Sequence, residues 1–375
     1  MPGALGLIVK ATRLCNLRCA YCHDWRTGPG QTMPFEVMAR MTASALETSG
    51  PAGVDFIWHG GEPTVIGIPF YEKALYVQAQ FQRPGQRIAN AFQTNATLLT
   101  DRWLRFLQDS QFSVSVSLDG PAGIQSANRP WASGRSSFPE TVAGIRRLRD
   151  AGIPFSVLMV VDEPTLELGA ERFFEFLVGE QIRSVALLAA APVNRPHASP
   201  GTATPHYVDP VRMTSFLARL YDQWLAHGDF GMRVREFEGL TRRLDRQPAH
   251  VCTLAGACVG RYYSVEPNGD VAHCDLYVGD ESYTFGNLRD HGFADFERHP
   301  RVLELQQQNV RALDRMRTCP EFSVCNGWCP HERYLSERHQ PGYTGDCCGL
   351  RGLIEHMRAA PPHAAERAAP TTANA

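Results

Sequence analysis

The placement of cysteine constrains this chain more than any other feature of its sequence. Of eleven cysteines in 375 residues, three lie between positions 15 and 22, none between 23 and 251, and eight between 252 and 348. An odd number cannot pair completely. The opening run Met1–Lys10 has no basic segment leading into a long apolar core, so no secretory signal is read there. No apolar run approaches the ~18–20 residues that span a bilayer. The expected compartment is the cytoplasm, where structural disulfides do not persist. Clustered thiols in such a setting point to metal sites. The formal net charge of -2 gives no reason to expect a nucleic-acid partner.

The first half alternates β-rich and helical stretches. Strands are predicted at Leu5–Thr12, Val54–His59, Ile88–Asn95, Phe112–Leu118, Phe155–Val161 and Ile182–Ala189, several of them apolar enough to be buried on both faces. Helical periodicity falls at about 34–49, 68–82, 100–109, 138–151 and 165–179. Six β/α repeats predict an α/β fold with a parallel sheet, closer to a partial (β/α)6 TIM-like barrel than to a complete eightfold one. A Pro-, His- and Ser-rich loop over 191–210, a helix around 211–227 and a basic stretch (Arg233, Arg235, Arg242, Arg243, Arg246) follow. That stretch reads better as an interdomain or solvated helix face than as a nucleic-acid patch. The expected division is 1–235, 236–357 and an Ala/Pro-rich disordered tail over 358–375.

Residues 15–22 space their cysteines as C-x3-C-x2-C, with Tyr21 before the third, on the loop that leaves the first strand. In a barrel that is the active-site end. Three thiolates on a four-iron cubane leave one iron open to chelate a small molecule and pass it an electron. The competing reading is structural zinc, with His23 as a fourth ligand.

The triad resembles that of the radical S-adenosylmethionine (SAM) superfamily. Gly60-Gly61-Glu62-Pro63 after the second strand is similar to that family's GGE motif, which implies contacts to SAM. Ser117-Leu118-Asp119-Gly120, with Arg129 beyond, resembles the stretch that binds the SAM carboxylate and ribose, and Asn95 ends the third strand at the same face. Gln93 is placed there as a substrate contact. The late cysteines (Cys252, Cys258, Cys274, Cys319, Cys325, Cys329, Cys347, Cys348) resemble the SPASM extension of these enzymes, a small cysteine-rich domain with two auxiliary [4Fe–4S] clusters. The nearest resemblance is to anaerobic sulfatase-maturating enzymes and related peptide maturases. It implies one auxiliary cluster on Cys252, Cys258, Cys274 and Cys329, and another on Cys319, Cys325 and a member of the Cys347-Cys348 pair. The pattern is broken at Met316, where the family has a cysteine. Both Cys347 and Cys348, another side chain, or an open iron would then complete the second cluster.

Pro267-Asn268-Gly269-Asp270 is a hairpin turn. Cys274 is expected on its returning strand and Asp275 next to it. The resemblance makes Asp275 the catalytic base. A carboxylate there would take the heteroatom proton of a substrate radical while an auxiliary cluster takes the electron. The resemblance thus implies a radical SAM oxidoreductase that abstracts a hydrogen atom with a 5′-deoxyadenosyl radical. Its substrate would be a peptide or protein side chain, oxidised or crosslinked, and its electron donor a flavodoxin or ferredoxin. Dehydrogenation of a small alcohol, such as an aminocyclitol or sugar, is the second reading, and a non-catalytic zinc protein the third.

Overall fold

The computed structural model describes residues 4–22, 31–192, 207–277 and 279–360. The six apolar runs fold as β1 (Leu5–Thr12), β2 (Val54–Gly60), β3 (Ile88–Thr94), β4 (Ser113–Ser117), β5 (Phe155–Val161) and β6 (Ser184–Ala189). They pair in parallel, in chain order, because each strand returns through a helix before the next begins. Burial alternates along them. Val54, Phe56 and Trp58 of β2 are buried, while Asp55, Ile57 and His59 are half-buried. Val114 and Val116 of β4 alternate likewise with Ser113, Ser115 and Ser117. The apolar set lies under the helices and the polar set lines the barrel interior. Outside β2 and β3, Tyr71 of the helix Ile68–Phe81 meets Trp58, Phe92 and Trp103, with ring centroids at 5.5, 5.2 and 5.8 Å. Each such contact contributes about 0.5–1.5 kcal/mol beyond burial.

Two parallel strands go beyond the six expected. The short β7 (Arg233–Val234) pairs with β6, and β8 (Tyr262–Val265) pairs with the outer edge of β1, from Gly6↔Tyr262 to Val9↔Val265. β9 (Asp270–His273) and β10 (Thr284–Asn287) then add antiparallel, giving one sheet ordered β10-β9-β8-β1-β2-β3-β4-β5-β6-β7. The hairpin expected at 267–270 is therefore an extension of the barrel sheet. It covers the edge that β1 would otherwise leave open.

The expected helix over 165–179 is two helices, Glu163–Leu168 and Ala170–Gly179, separated at Gly169, whose φ is +86°. The basic stretch is engaged within the protein. Arg233 and Arg235 pair with Glu238 and Glu236, and Arg243 donates to the carbonyl oxygens of Ser323 and Val324 at 2.6 and 3.2 Å. The helix Arg351–Ala359 buries Leu353, Ile354 and Met357 against the helix Pro210–His227. Order thus continues past Met357, where the tail was expected to begin. Residues 361–375, His23 and positions 193–206 of the expected loop lie outside the described residues. Among the described residues no helix is long and apolar enough to cross a membrane.

Candidate functional site

The loop that leaves β1 is held by the ends of neighbouring strands. Gly61 N donates to Thr12 O at 2.7 Å and Glu62 N to Leu14 O at 2.8 Å. A Cβ on Gly61 would meet Leu14 O at 2.1 Å, and one on Gly60, at φ +111°, would meet Thr12 O at 2.4 Å. These glycines thus allow a close approach to the chain's own cysteine loop. From the other side Arg18 N and Ala20 N donate to Pro130 O and Asn128 O, both at 2.8 Å. Asn95 Nδ2 donates to Asn16 Oδ1 at 2.9 Å, and Asn16 Nδ2 to Thr97 Oγ1 at 2.7 Å. The loop is fixed at both flanks, and its three thiols come close enough for their charges to interact.

Cys15 and Cys19 resist ionisation. Burial raises Cys15, with Glu62 adding to the effect, and pushes Cys19 up to about 12 against the opposing charge of Arg129. Arg129 Nη1 lies 3.9 Å from Cys19 Sγ and its Nε 3.0 Å from Asp119 Oδ2, an ion pair buried at both ends. The Tyr21 hydroxyl donates to the same Asp119 oxygen at 2.5 Å, and the Arg129 guanidinium lies over the Tyr21 ring, 5.4 Å from its centroid. Asp119 Oδ1 accepts from Val160 N at 3.1 Å. Asp119 therefore links the cysteine loop, β5 and Arg129, an organising role that its place in the Ser117–Gly120 stretch did not disclose.

Glu62 is 1% exposed. Its Oε1 accepts from Thr64 N, Thr64 Oγ1 and Thr94 Oγ1 at 3.0, 2.6 and 2.7 Å, and its Oε2 from Asn95 N at 2.7 Å. Burial raises its pKa despite these donors. The carboxylate ties the ends of β2 and β3 together. Gln93 Nε2 donates to Ser117 Oγ at 2.8 Å across the ends of β3 and β4, and the Ser117 hydroxyl keeps its own hydrogen to donate. Gly60–Pro63, Asn95, Ser117, Arg129 and Gln93 thereby lie at the strand ends beside the triad, with the side chains of Glu62, Asn95, Gln93, Ser117 and Arg129 each meeting a protein partner.

None of the eleven cysteines is in a disulfide. The late eight divide into two groups. Cys258 interacts with Cys252, Cys274 with Cys258 and Cys329, and Cys329 with Cys252. Separately, Cys319 interacts with Cys325 and Cys347, and Cys348 interacts with both Cys325 and Cys347. Both members of the Cys347-Cys348 pair thus converge on the second group. Met316 is buried, 2% exposed, at the end of the helix Pro300–Met316.

The first quartet lies at the end of the barrel opposite the triad. Cys258 precedes β8, which runs parallel to β1. Cys274 follows β9, whose His273 is paired with Tyr263, so it stands beside the N-terminal end of β1. At ~3.3 Å per residue, β1 separates the two ends by roughly 23 Å. Cys274 lies one residue beyond the strand expected to carry it, at φ +52°, and Asp275 opens the short helical turn Asp275–Tyr277. Arg13 Nε and Nη2 donate to Glu266 Oε2 at 3.0 and 2.6 Å, joining the cysteine loop to the hairpin turn. No sequence signal pointed to this pair.

These residues fit iron–sulfur clusters. Leu17 N, Gly327 N and Gly349 N donate to the sulfurs of Cys15, Cys325 and Cys347 at 3.3, 3.4 and 3.4 Å, orienting them as acceptors. Buried thiols that resist ionisation need a cation to draw off the proton, and a bound metal does so. His23, the fourth ligand of the zinc reading, lies outside the described residues.

Comparison with known proteins agrees. Residues 9–169 match the radical SAM superfamily and residues 257–325 the SPASM iron–sulfur cluster-binding domain. A serine-type anaerobic sulfatase-maturating enzyme of Bacteroides thetaiotaomicron is 27% identical over 92% of this chain and 87% of its own. A cysteine-type enzyme of Clostridium perfringens is 27% identical over 88% and 89%. A solved structure of native anSMEcpe with bound AdoMet and the Cp18Cys peptide superposes with a TM-score of 0.83 at 25% identity, covering 97% of this chain and 99% of that one. A [4Fe–4S] cluster, SPASM auxiliary clusters and SAM are accordingly its cofactors. With the two families matched in chain order, the first over the triad and the second over Cys258, Cys274, Cys319 and Cys325, this chain is a radical SAM enzyme of the SPASM type, homologous to the anaerobic sulfatase-maturating enzymes.

Proposed function

We propose that the protein oxidises a peptide or protein side chain by two electrons, with residues 1–235 as the radical-generating barrel and 236–357 as the auxiliary-cluster domain. The observation that carries this reading is the placement of the triad and of the Asp275-bearing quartet at opposite ends of β1. A side chain entering the barrel interior has a radical source on one side and an acceptor for proton and electron on the other. The peptide class is supported by the likeness to the peptide-bound anSMEcpe structure.

When bound, SAM and the triad cluster supply a hydrogen-atom abstractor, and the auxiliary clusters supply a one-electron sink. Cys15, Cys19 and Cys22 hold the first cluster and leave an iron for SAM. The strand ends bearing Gly60–Pro63, Asn95, Ser117 and Arg129 orient SAM, and Gln93 meets the substrate. Cys252, Cys258, Cys274 and Cys329 hold one auxiliary cluster. Cys319, Cys325, Cys347 and Cys348 hold the other. Asp275 accepts the proton of the substrate S–H or O–H. The side chain thus loses a hydrogen atom, a proton and an electron, and becomes a thioaldehyde or a carbonyl. The reaction proceeds in the cytoplasm, with a flavodoxin or ferredoxin as electron donor.

Anaerobic reconstitution tests the assignment. The parent should hold about twelve irons and the Cys15/Cys19/Cys22→Ala variant about eight, counting four per cubane. Only the parent should form 5′-deoxyadenosine from SAM and dithionite. Peptides carrying a central cysteine or serine should then lose the mass of a hydrogen pair. Turnover of a small polyol with no change in any peptide would overturn the substrate class. A triple variant with the parent's iron would overturn the triad.

A further inference from the structure

A cleft opens beside the first quartet. It encloses about 290 Å³, and its wall includes Tyr277, Tyr283, Tyr334, Arg311, Arg315 and Arg333. Tyr277 is 4% exposed and close enough to Cys258, Cys274 and Cys329 for its phenol to interact with their charges. Its ring stacks on that of Tyr283 with centroids 4.0 Å apart and planes inclined by 20°, and the Tyr334 ring stands edge-on at 5.3 Å. A continuous run of π-systems therefore leads from the quartet to the cleft. Electron tunnelling weakens exponentially with distance, and packed rings weaken it less than a gap of the same length.

The cleft is also basic. Arg311, Arg315 and Arg333 line it against a single acid, Glu337. Arg333 is committed to Gly327 O, Trp328 O and Asn309, whereas Arg311 and Arg315 lie exposed on the helix Pro300–Met316. Arg301 and Arg338 add charge around it, their guanidinium carbons 5.7 and 3.5 Å from the Tyr283 and Tyr334 ring centroids. In a chain of net charge -2, this is a local concentration of positive charge, and it steers acidic partners.

We propose that this Tyr-walled, Arg-rimmed cleft is the docking site of an acidic one-electron redox protein, and that Tyr277 carries the electron to it from the first quartet. The inference rests on the assignment of Cys252, Cys258, Cys274 and Cys329 to a cluster. One electron leaves the quartet and reduces the partner by one electron; no bond forms or breaks. The alternative exit is the second quartet, where the charge of Arg351 reaches Cys319 and Cys347.

The test uses the Cys15/Cys19/Cys22→Ala protein, which keeps only the late cysteines. Iron content and the electron paramagnetic resonance of the reduced protein come first, and absence of both would sink the cluster assignment itself. With clusters present, the reduced protein is mixed in stopped flow with an oxidised flavodoxin of net negative charge. Adding Arg311→Glu and Arg315→Glu should lower the second-order rate constant by ~10-fold or more and flatten its dependence on ionic strength. Adding Arg351→Glu should change it less than about twofold. Tyr277→Leu should slow the limiting rate at saturating flavodoxin, and Tyr277→Phe should restore it. An unchanged rate in the Arg311/Arg315 variant at full iron content, or a loss that follows Arg351→Glu, overturns the proposal.

Discussion

At the C-terminal end of β1 three thiols ride on a loop whose backbone is bonded to neighbouring strand ends and to the segment Asn128–Ala132. The eight late thiols instead sit in short helices, beside short strands and on the turns between them. Their neighbours are other cysteines and a few long-range contacts such as Arg243 to Ser323. The early loop would keep its shape with or without metal, because a barrel of buried strands stands behind it. The late region has less apolar packing of its own, and cluster binding there is part of folding. The difference teaches that three ligands suffice only where the scaffold supplies the rest of the geometry, and a preformed loop can leave one iron for chemistry.

Several substitutions would break or sharpen that contrast. Asp275→Asn should slow substrate oxidation by about 10²–10⁴-fold, the usual worth of a general base. It should leave 5′-deoxyadenosine formation and iron content at the parent's level, read by product mass and by iron assay. Equal loss of both activities would mean that Asp275 acts on the fold. Gly61→Ala drives a methyl group into Leu14 O. Overpacking of this kind costs about 1–3 kcal/mol, and the damage should fall on the triad. Triad iron and SAM cleavage should drop while the auxiliary signals persist in spectra of the reduced protein. Cys347→Ala and Cys348→Ala should each remove about four irons, because both thiols meet Cys325. If only one of them does so, the second quartet has a different fourth member. Met316→Leu is expected to be the mildest, costing less than about 1.5 kcal/mol as a volume-conserving core change. Its iron content should match the parent's. Loss of iron there would make Met316 a ligand.

Much of the architecture was legible in the sequence because strand and helix periodicity are local. β1 and β5 were read to the residue, and the other four strands to within two residues at either end. The triad was legible for the same reason, its spacing lying within eight residues. Gly169 divided an expected helix because a glycine at positive φ ends one regardless of the apolar pattern on either side. β8 was legible as half of a hairpin but not as the neighbour of β1, since that pairing joins residues 256 apart (Gly6 and Tyr262). The Arg13–Glu266 pair was hidden for the same reason. Charged residues at such separations have no sequence signature.

The sequence by itself determined the kind of chemistry: three thiols spaced for a cluster with an open iron, eight more too many and too clustered for a core, and a run of alternating strands to carry them. Tertiary structure decided which cysteine meets which and at which end of the barrel. It joined Cys347 and Cys348 to the same group and gave Met316 to the core. It also turned the glycines of Gly60-Gly61 toward the chain's own loop. Ligand type is a property of single residues, and so is written in the sequence. Ligand grouping depends on strand register and on contacts between separate strands, turns and helices, which exist only once the chain has closed on itself.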